Sequence, residues 1–284
     1  MELGLFGINM GRYALDPEAA VALARAAEAS GWESVWAGEH FVLPDPTTPE
    51  APAPPDLPIL DAWIALAHIA AATTSLLVAT GVTVVPLHHP LALAKQAVSL
   101  DRTSGGRLVL GVGVGYLEPE LAAFGVSPTV RGAATDQTLD VLAAAWRDPT
   151  IEATYLGTTI TGLRAEPRPI RPDGPPLVVG GASRAAFRRA VRRGHGWYGW
   201  DLDVEGAQRA VAALHALAGE VERPGALGPL EITVTPPHRA PVGAAMVERY
   251  RAAGVDRLVL HVPRGSASDA LAFVEAAPTT LLGS

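Results

Sequence analysis

Four short stretches carry side chains able to do chemistry, or glycines able to bring a ligand close to the backbone. In Trp36-Ala37-Gly38-Glu39-His40-Phe41 a carboxylate adjoins an imidazole, a combination that can serve as an acid/base pair. For the dipeptide alone, a loop histidine satisfied by ordinary hydrogen bonds is the simpler reading. Thr80-Gly81-Val82-Thr83-Val84-Val85-Pro86 runs into Leu87-His88-His89, and Gly81 permits unusual backbone geometry or close approach of a ligand. Adjacent histidines rarely point the same way and no carboxylate cluster accompanies them, so no metal site is expected; one of the pair can still face a substrate.

Gly111-Val112-Gly113-Val114-Gly115-Tyr116 alternates glycines in a way that lets backbone amides approach a phosphate or a flat ring. The third glycine is misplaced for the dinucleotide fingerprint, and the expected acidic residue is missing, so a Rossmann reading is weak. Val179-Gly180-Gly181-Ala182-Ser183-Arg184 places two glycines and a hydroxyl before a helix. That turn can present amides to an anion while its serine caps the helix. Arg164, Arg168, Arg171, Arg184 and Arg188 add a local positive excess suited to a polyanionic cofactor, whereas Arg189, Arg192 and Arg193 read as a solvated helix face. Trp36, Phe41, Trp63, Tyr116, Trp197, Tyr198 and Trp200 lie mostly near strand ends, where they can line a pocket for a planar molecule, although several must be core.

The elements that position these stretches alternate between strand and helix. Strand-like segments fall at 3–8, 34–37, 76–85, 107–112, 177–179, 197–200, 230–235 and 257–262. Helical patterns fall between them, at 16–30, 60–74, 90–103, 118–124, 131–146, 183–193, 204–220, 243–254 and 268–276, with a small hairpin at 151–161 turning at Gly157. Asp16, Pro17 and Gly31 supply the N-cap, first position and stop of the first helix. About eight strands in this rhythm predict a parallel α/β protein. A doubly wound open sheet would alternate in the same way. The length, the lack of a mid-chain linker and a strand-helix unit continuing to the last residues favour a single (β/α)₈ TIM barrel over residues 1–284, with its chemistry where strands end.

Composition narrows the function. The 284 residues include no cysteine, which excludes disulfides, thiolate metal sites and thiol nucleophiles. A formal net charge of −7 argues against nucleic acid as a partner. No apolar run approaches a membrane span and the N-terminus lacks a signal-peptide pattern, so a cytoplasmic protein with a small-molecule substrate is expected.

Taken in order, these stretches resemble the luciferase-like monooxygenase superfamily, in particular its coenzyme F420-dependent oxidoreductases. The resemblance rests on Thr80-Gly81-Val82 through Pro86, Pro90 to Gln96, Ser99-Leu100-Asp101, Ser104-Gly105-Gly106-Arg107 and Leu110 to Tyr116. Gly31-Trp32, Glu39-His40, Pro167-Arg168-Pro169, Gly180-Gly181 and Gly194-His195-Gly196-Trp197 add to it, so coverage reaches to about residue 200. It implies a bacterial luciferase-like barrel holding an isoalloxazine-like ring at the strand C-termini. A non-prolyl cis peptide within Gly81, Val82 and Thr83 would support the ring, Glu39 would approach it, and Gly113, Gly115, Gly180, Gly181, Ala182 and Ser183 would contact phosphate through backbone amides. His40 matches the position that serves as acid or base in some deazaflavin dehydrogenases, with Tyr116 and His88 as alternatives.

The implied reaction is hydride transfer between coenzyme F420 and a small organic molecule, as reduction of a C=C or C=N bond or the reverse oxidation. Barrels of this kind often associate as homodimers. The chain departs from the pattern at His195, where the family commonly has Asp; at Asp136 and Gln137, where a Glu is often found; and at Tyr116, where its sugar-phosphate dehydrogenases use Glu. With no lysine pair after the sixth strand, a phosphorylated sugar is a poor candidate substrate. Two competing readings are an FMN-dependent monooxygenase of the same superfamily and a barrel that binds a cofactor or metabolite without catalysis.

Overall fold

The computed structural model of the chain describes residues 1–238 and 240–283. Its eight strand positions are Glu2–Phe6, Ser34–Ala37, Leu77–Thr80, Leu108–Gly113, Leu177–Gly180, Gly196–Gly199, Glu231–Val234 and Arg257–His261, numbered first to eighth below. All neighbours are parallel, the eighth pairs with the first, and the third pairs with the fourth, so the sheet closes into a barrel. Closure settles the choice between a barrel and an open sheet.

Local chemistry explains the elements. Helix Pro17–Ser30 has the Asp16 side chain accepting from the Ala19 amide at 3.0 Å, proline at its first turn and Gly31 at φ 87° as its stop. Its Val21, Leu23, Ala24 and Ala27 are buried against the barrel. The expected hairpin is present as Ile151–Tyr155 and Thr158–Leu163, with Leu156 and Gly157 both at positive φ in its turn. Three elements differ from expectation, one being the last helix, which runs on to Leu282 instead of ending near 276. A short helix, Arg12–Leu15, precedes the first long one, and the expected strand 76–85 breaks after Thr80, resumes at Thr83–Val84 and ends in a 3₁₀ turn at Val85–Leu87. Among the described residues no helix is long and apolar enough to cross a membrane.

Side chains on alternate strand positions fill the barrel, as the two-residue period requires. Phe6, Trp36, Ala79, Val109, Val178, Tyr198 and Val259 form one buried cluster inside, separate from the larger cluster between strands and helices. Trp36 and Tyr198 stack at 5.1 Å and 25°, and the Tyr198 hydroxyl bonds Thr235 Oγ1 at 2.6 Å. Beneath them lies Arg257, 5.9 Å from the Trp36 ring and paired with Glu33 and Glu231. Burial alone would lower the Arg257 pKa, but the two carboxylates outweigh it and raise it, so the cation stays charged. This closes the N-terminal end of the barrel. The lumen is lopsided above it: strands three to five contribute glycine, alanine and valine, while strands one, two and six contribute Phe6, Trp36 and Tyr198.

Candidate active site

The small-residue side of the lumen is built around one peptide. The Gly81–Val82 bond is cis, within the stretch where the family resemblance puts it. The Val82 side chain fills a hollow left by three glycines. A Cβ on Gly111 would meet Val82 Cγ1 at 3.1 Å, one on Gly113 would meet Cγ2 at 2.7 Å, and one on Gly180 would meet Cγ1 at 3.2 Å. Gly113 and Gly180 therefore have a packing reason to lack side chains, independent of any phosphate. Gly115 sits at φ 76° with Val84 and Leu121 against it. Thr83 is fully buried beside the cis peptide, and its Oγ1 has no hydrogen-bond partner.

Glu39 braces this segment. Its Oε2 accepts from the Val84 amide at 2.7 Å and from His88 Nε2 at 3.0 Å, and both groups are nearly buried. His88 thus faces the Glu39 carboxylate, while its chain neighbour His89 is exposed and caps the following helix. The two imidazoles do point apart.

His40 makes a second carboxylate pair, with a residue that sequence reasoning did not single out. Glu120, 3% exposed, takes His40 Nδ1 on Oε2 at 2.9 Å and the Phe41 and Val42 amides on Oε1 at 2.7 and 3.3 Å. Both carboxylate oxygens accept, so Nδ1 carries the proton and Nε2 is left as the exchangeable position. Nε2 lies 3.5 Å from the Tyr116 hydroxyl, a long contact. Burial, then the Glu120 charge, push the Tyr116 phenol up to about 12, so it stays protonated as a donor. Such an acid–imidazole–phenol array can hold and hand over one proton at a defined atom.

At the fifth strand, Gly181, Ala182 and Ser183 are exposed, and Gly181 has φ 111°. Trp197 Nε1 anchors this turn by bonding the Gly181 carbonyl at 2.8 Å. Ser183 Oγ caps helix Arg184–Arg193 through the Ala186 amide at 3.1 Å, leaving the preceding amides directed out of the helix end. Of the nearby arginines, Arg184 pairs with Glu220. Arg189 corrects the expectation of a solvated face: it is 7% exposed and binds both Asp136 oxygens, at 2.8 and 2.9 Å.

The remaining departures also have structural roles. Gln137 Oε1 accepts from Leu156 in the hairpin turn at 2.8 Å. His195 sits before the sixth strand, at the end opposite the mouth, with Nδ1 accepting from the Leu177 amide at 3.1 Å. Of the aromatic residues, Trp63 and Trp197 pack outside the barrel and Trp36 and Tyr198 fill its interior, whereas Phe41, Tyr116 and Trp200 are exposed at the mouth.

Also at the mouth stands a group of which sequence reasoning singled out Trp200 but not Phe6 or His261. Phe6 and His261, register partners on the first and eighth strands, lie 5.4 Å apart, with Trp200 4.7 Å from Phe6 and 5.2 Å from His261. Burial, then His238 and Arg264, push the His261 imidazole down to about 4, so it is neutral near pH 7. A signal was available in the sequence: strand alternation from Arg257 and Val259 directs His261 inward.

Comparison with known proteins agrees with this architecture. The profile of the luciferase-like monooxygenase family matches residues 3–275. An uncharacterized protein of Mycobacterium tuberculosis is 31% identical over 266 residues, covering 89% of this chain and 90% of its own. Among solved structures, a monooxygenase from Streptomyces bottropensis superposes with a TM-score of 0.77 at 20% identity, over 99% of each chain. An F420-dependent secondary alcohol dehydrogenase in complex with an F420-acetone adduct superposes with a TM-score of 0.78 at 18% identity, over 98% of each chain.

Proposed function

Since the chain belongs to the luciferase-like monooxygenase family, we propose that it is a coenzyme F420-dependent oxidoreductase that transfers a hydride to or from a small organic substrate. The observation that carries this reading is the Glu120–His40 pair, a buried acid fixing the imidazole at the barrel mouth. Hydride transfer to or from a neutral molecule needs a proton partner, and His40 Nε2 is the one imidazole atom here left exchangeable beside a phenol.

The residues present fit a flat ring with a phosphate tail. The orphaned Thr83 hydroxyl and the Val82 side chain lie at the cis peptide, and the exposed Gly181-Ala182-Ser183 turn leads into a helix N-terminus. Val82 and Thr83 would hold the ring and the turn amides the phosphate, while Glu39 and His88 keep the supporting segment rigid. When bound, a deazaflavin supplies a carbon able to carry a hydride as a two-electron unit. His40 gives or takes the accompanying proton at Nε2, Glu120 fixes its orientation and tautomer, and Tyr116 donates a hydrogen bond from the rim. Reduction of a C=C or C=N bond, or the reverse oxidation, uses this arrangement in either direction.

Titration of the purified protein with oxidised F420 and with FMN tests the reading. Tight binding of F420 and single-turnover reduction of enones or imines by its reduced form are expected. Tight binding of FMN alone would make the protein a flavin monooxygenase, and binding without transfer would make it a non-catalytic barrel.

A further inference from the structure

The mouth has two chemically different sides, and of the second only Phe6 also packs beside the cis peptide, while Trp200 and His261 lie apart from it and from His40. We propose that Phe6, Trp200 and His261 form the substrate wall, selecting an uncharged planar ring that carries a carbonyl or hydroxyl group. This rests on the reading of the mouth as the reaction site. The three rings meet edge to face, at interplanar angles of 61° for Phe6–Trp200, 80° for Phe6–His261 and 77° for Trp200–His261. Such mutual packing fixes their orientation before any ligand arrives.

Trp200 is 46% exposed although it stands directly beyond the sixth strand, whose inward Tyr198 is buried. An indole held in place yet open on one side is suited to stacking on a flat ring. His261 adds the polar element: its neutral imidazole carries one donor and one acceptor, enough to meet a carbonyl or a hydroxyl. His238 packs on it at 4.6 Å and 85°. A concavity of about 330 Å³ borders the two imidazoles on their far side, lined also by Leu260, Val262 and Phe273 and not by Phe6 or Trp200. Phe6 links the two sides, since a Cβ on Gly81 would lie 3.4 Å from its ring.

Acetophenone is the probe, titrated into the full chain with and without added F420 while histidine ring protons are followed by NMR. The His261 signal is identified by its absence in His261→Gln. A saturable shift of that signal is expected, with affinity reduced about tenfold in Trp200→Ala, within about twofold of wild type in Trp200→Phe, and lower for cyclohexyl methyl ketone, which lacks the flat ring. His215→Gln, on an outer helix, leaves binding unchanged. A His261 signal that stays fixed in both conditions, wild-type affinity in Trp200→Ala, or equal binding of the charged 4-acetylbenzoate overturns the proposal. Acetophenone bound at His261, together with no hydride transfer from reduced F420 to any enone or imine, leaves the wall in place and counts against the redox reading instead.

Discussion

His40 Nδ1 lies 2.9 Å from Glu120 Oε2, although the two residues are 80 positions apart in the chain. The carboxylate reaches the imidazole from helix Glu118–Ala123 after the fourth strand, while His40 follows the second, so two separate loops assemble one proton-handling unit. Replacing His40 by Ala should slow the hydride-transfer step about a hundredfold or more. Glu120→Gln should slow it less and displace the pH profile, with little change in KM, because the imidazole loses its fixed tautomer rather than its presence. Single-turnover kinetics across pH 5–9 on both variants check this; an unaltered profile in Glu120→Gln removes Glu120 from the mechanism.

Gly111→Ala tests whether the glycine run serves packing. Its Cβ would lie 2.0 Å from the Thr80 carbonyl oxygen, a backbone atom that cannot swing aside. The substitution should cost at least the upper end of the about 1–3 kcal/mol typical of overpacking, and it should disturb the Val82 seat. Urea unfolding measures the first effect and cofactor titration the second. A Gly111→Ala protein as stable as wild type contradicts the geometry.

At the opposite end of the barrel, Glu28 Oε1 gathers the amides of Thr74, Ser75 and Leu76 at 2.8, 2.6 and 3.0 Å, and the Ser75 hydroxyl at 2.9 Å. Burial would raise the Glu28 pKa, but these bonds outweigh it and hold the pKa at about 2 instead of 4.5. Because the folded value is depressed, the stabilisation is complete above about 4.5 and is lost as pH falls toward 2. Glu28→Gln should lose about 1–3 kcal/mol at pH 7 and show a flatter decline between pH 5 and 3. Denaturant unfolding at several pH values decides; parallel curves for wild type and variant would remove Glu28 from the acid response.

Much of this was legible in the chain. Asp16, Pro17 and Gly31 bracket a helix by local chemistry alone, and the eight strand positions follow from short apolar runs between such helices. Residues 76–85 read by themselves as one strand; only the family resemblance placed a cis peptide within Gly81-Val82-Thr83, where the Gly81–Val82 bond interrupts that strand. Glu120 was illegible for a physical reason: in Glu118-Pro119-Glu120 it looks like any acidic residue in a helix's first turn. Only the tertiary approach of the loop at Phe41 and Val42 buries it. Arg189 was misread similarly, since its partner Asp136 lies on another helix. His261 was accessible through strand alternation, but what surrounds it depends on barrel closure, which sets the first strand beside the eighth.

The lopsided lumen divides labour between two arcs of one ring of strands. Substitution on the glycine arc propagates at once into the main chain, because Val82 and the Thr80 carbonyl leave no slack. Trp200 and His261 project from the other arc as side chains alone, and Trp200 is already half open to solvent. Descendants of this barrel can therefore acquire new chemical appetites by exchanging rings on that arc, while the seat of the cis peptide is inherited intact.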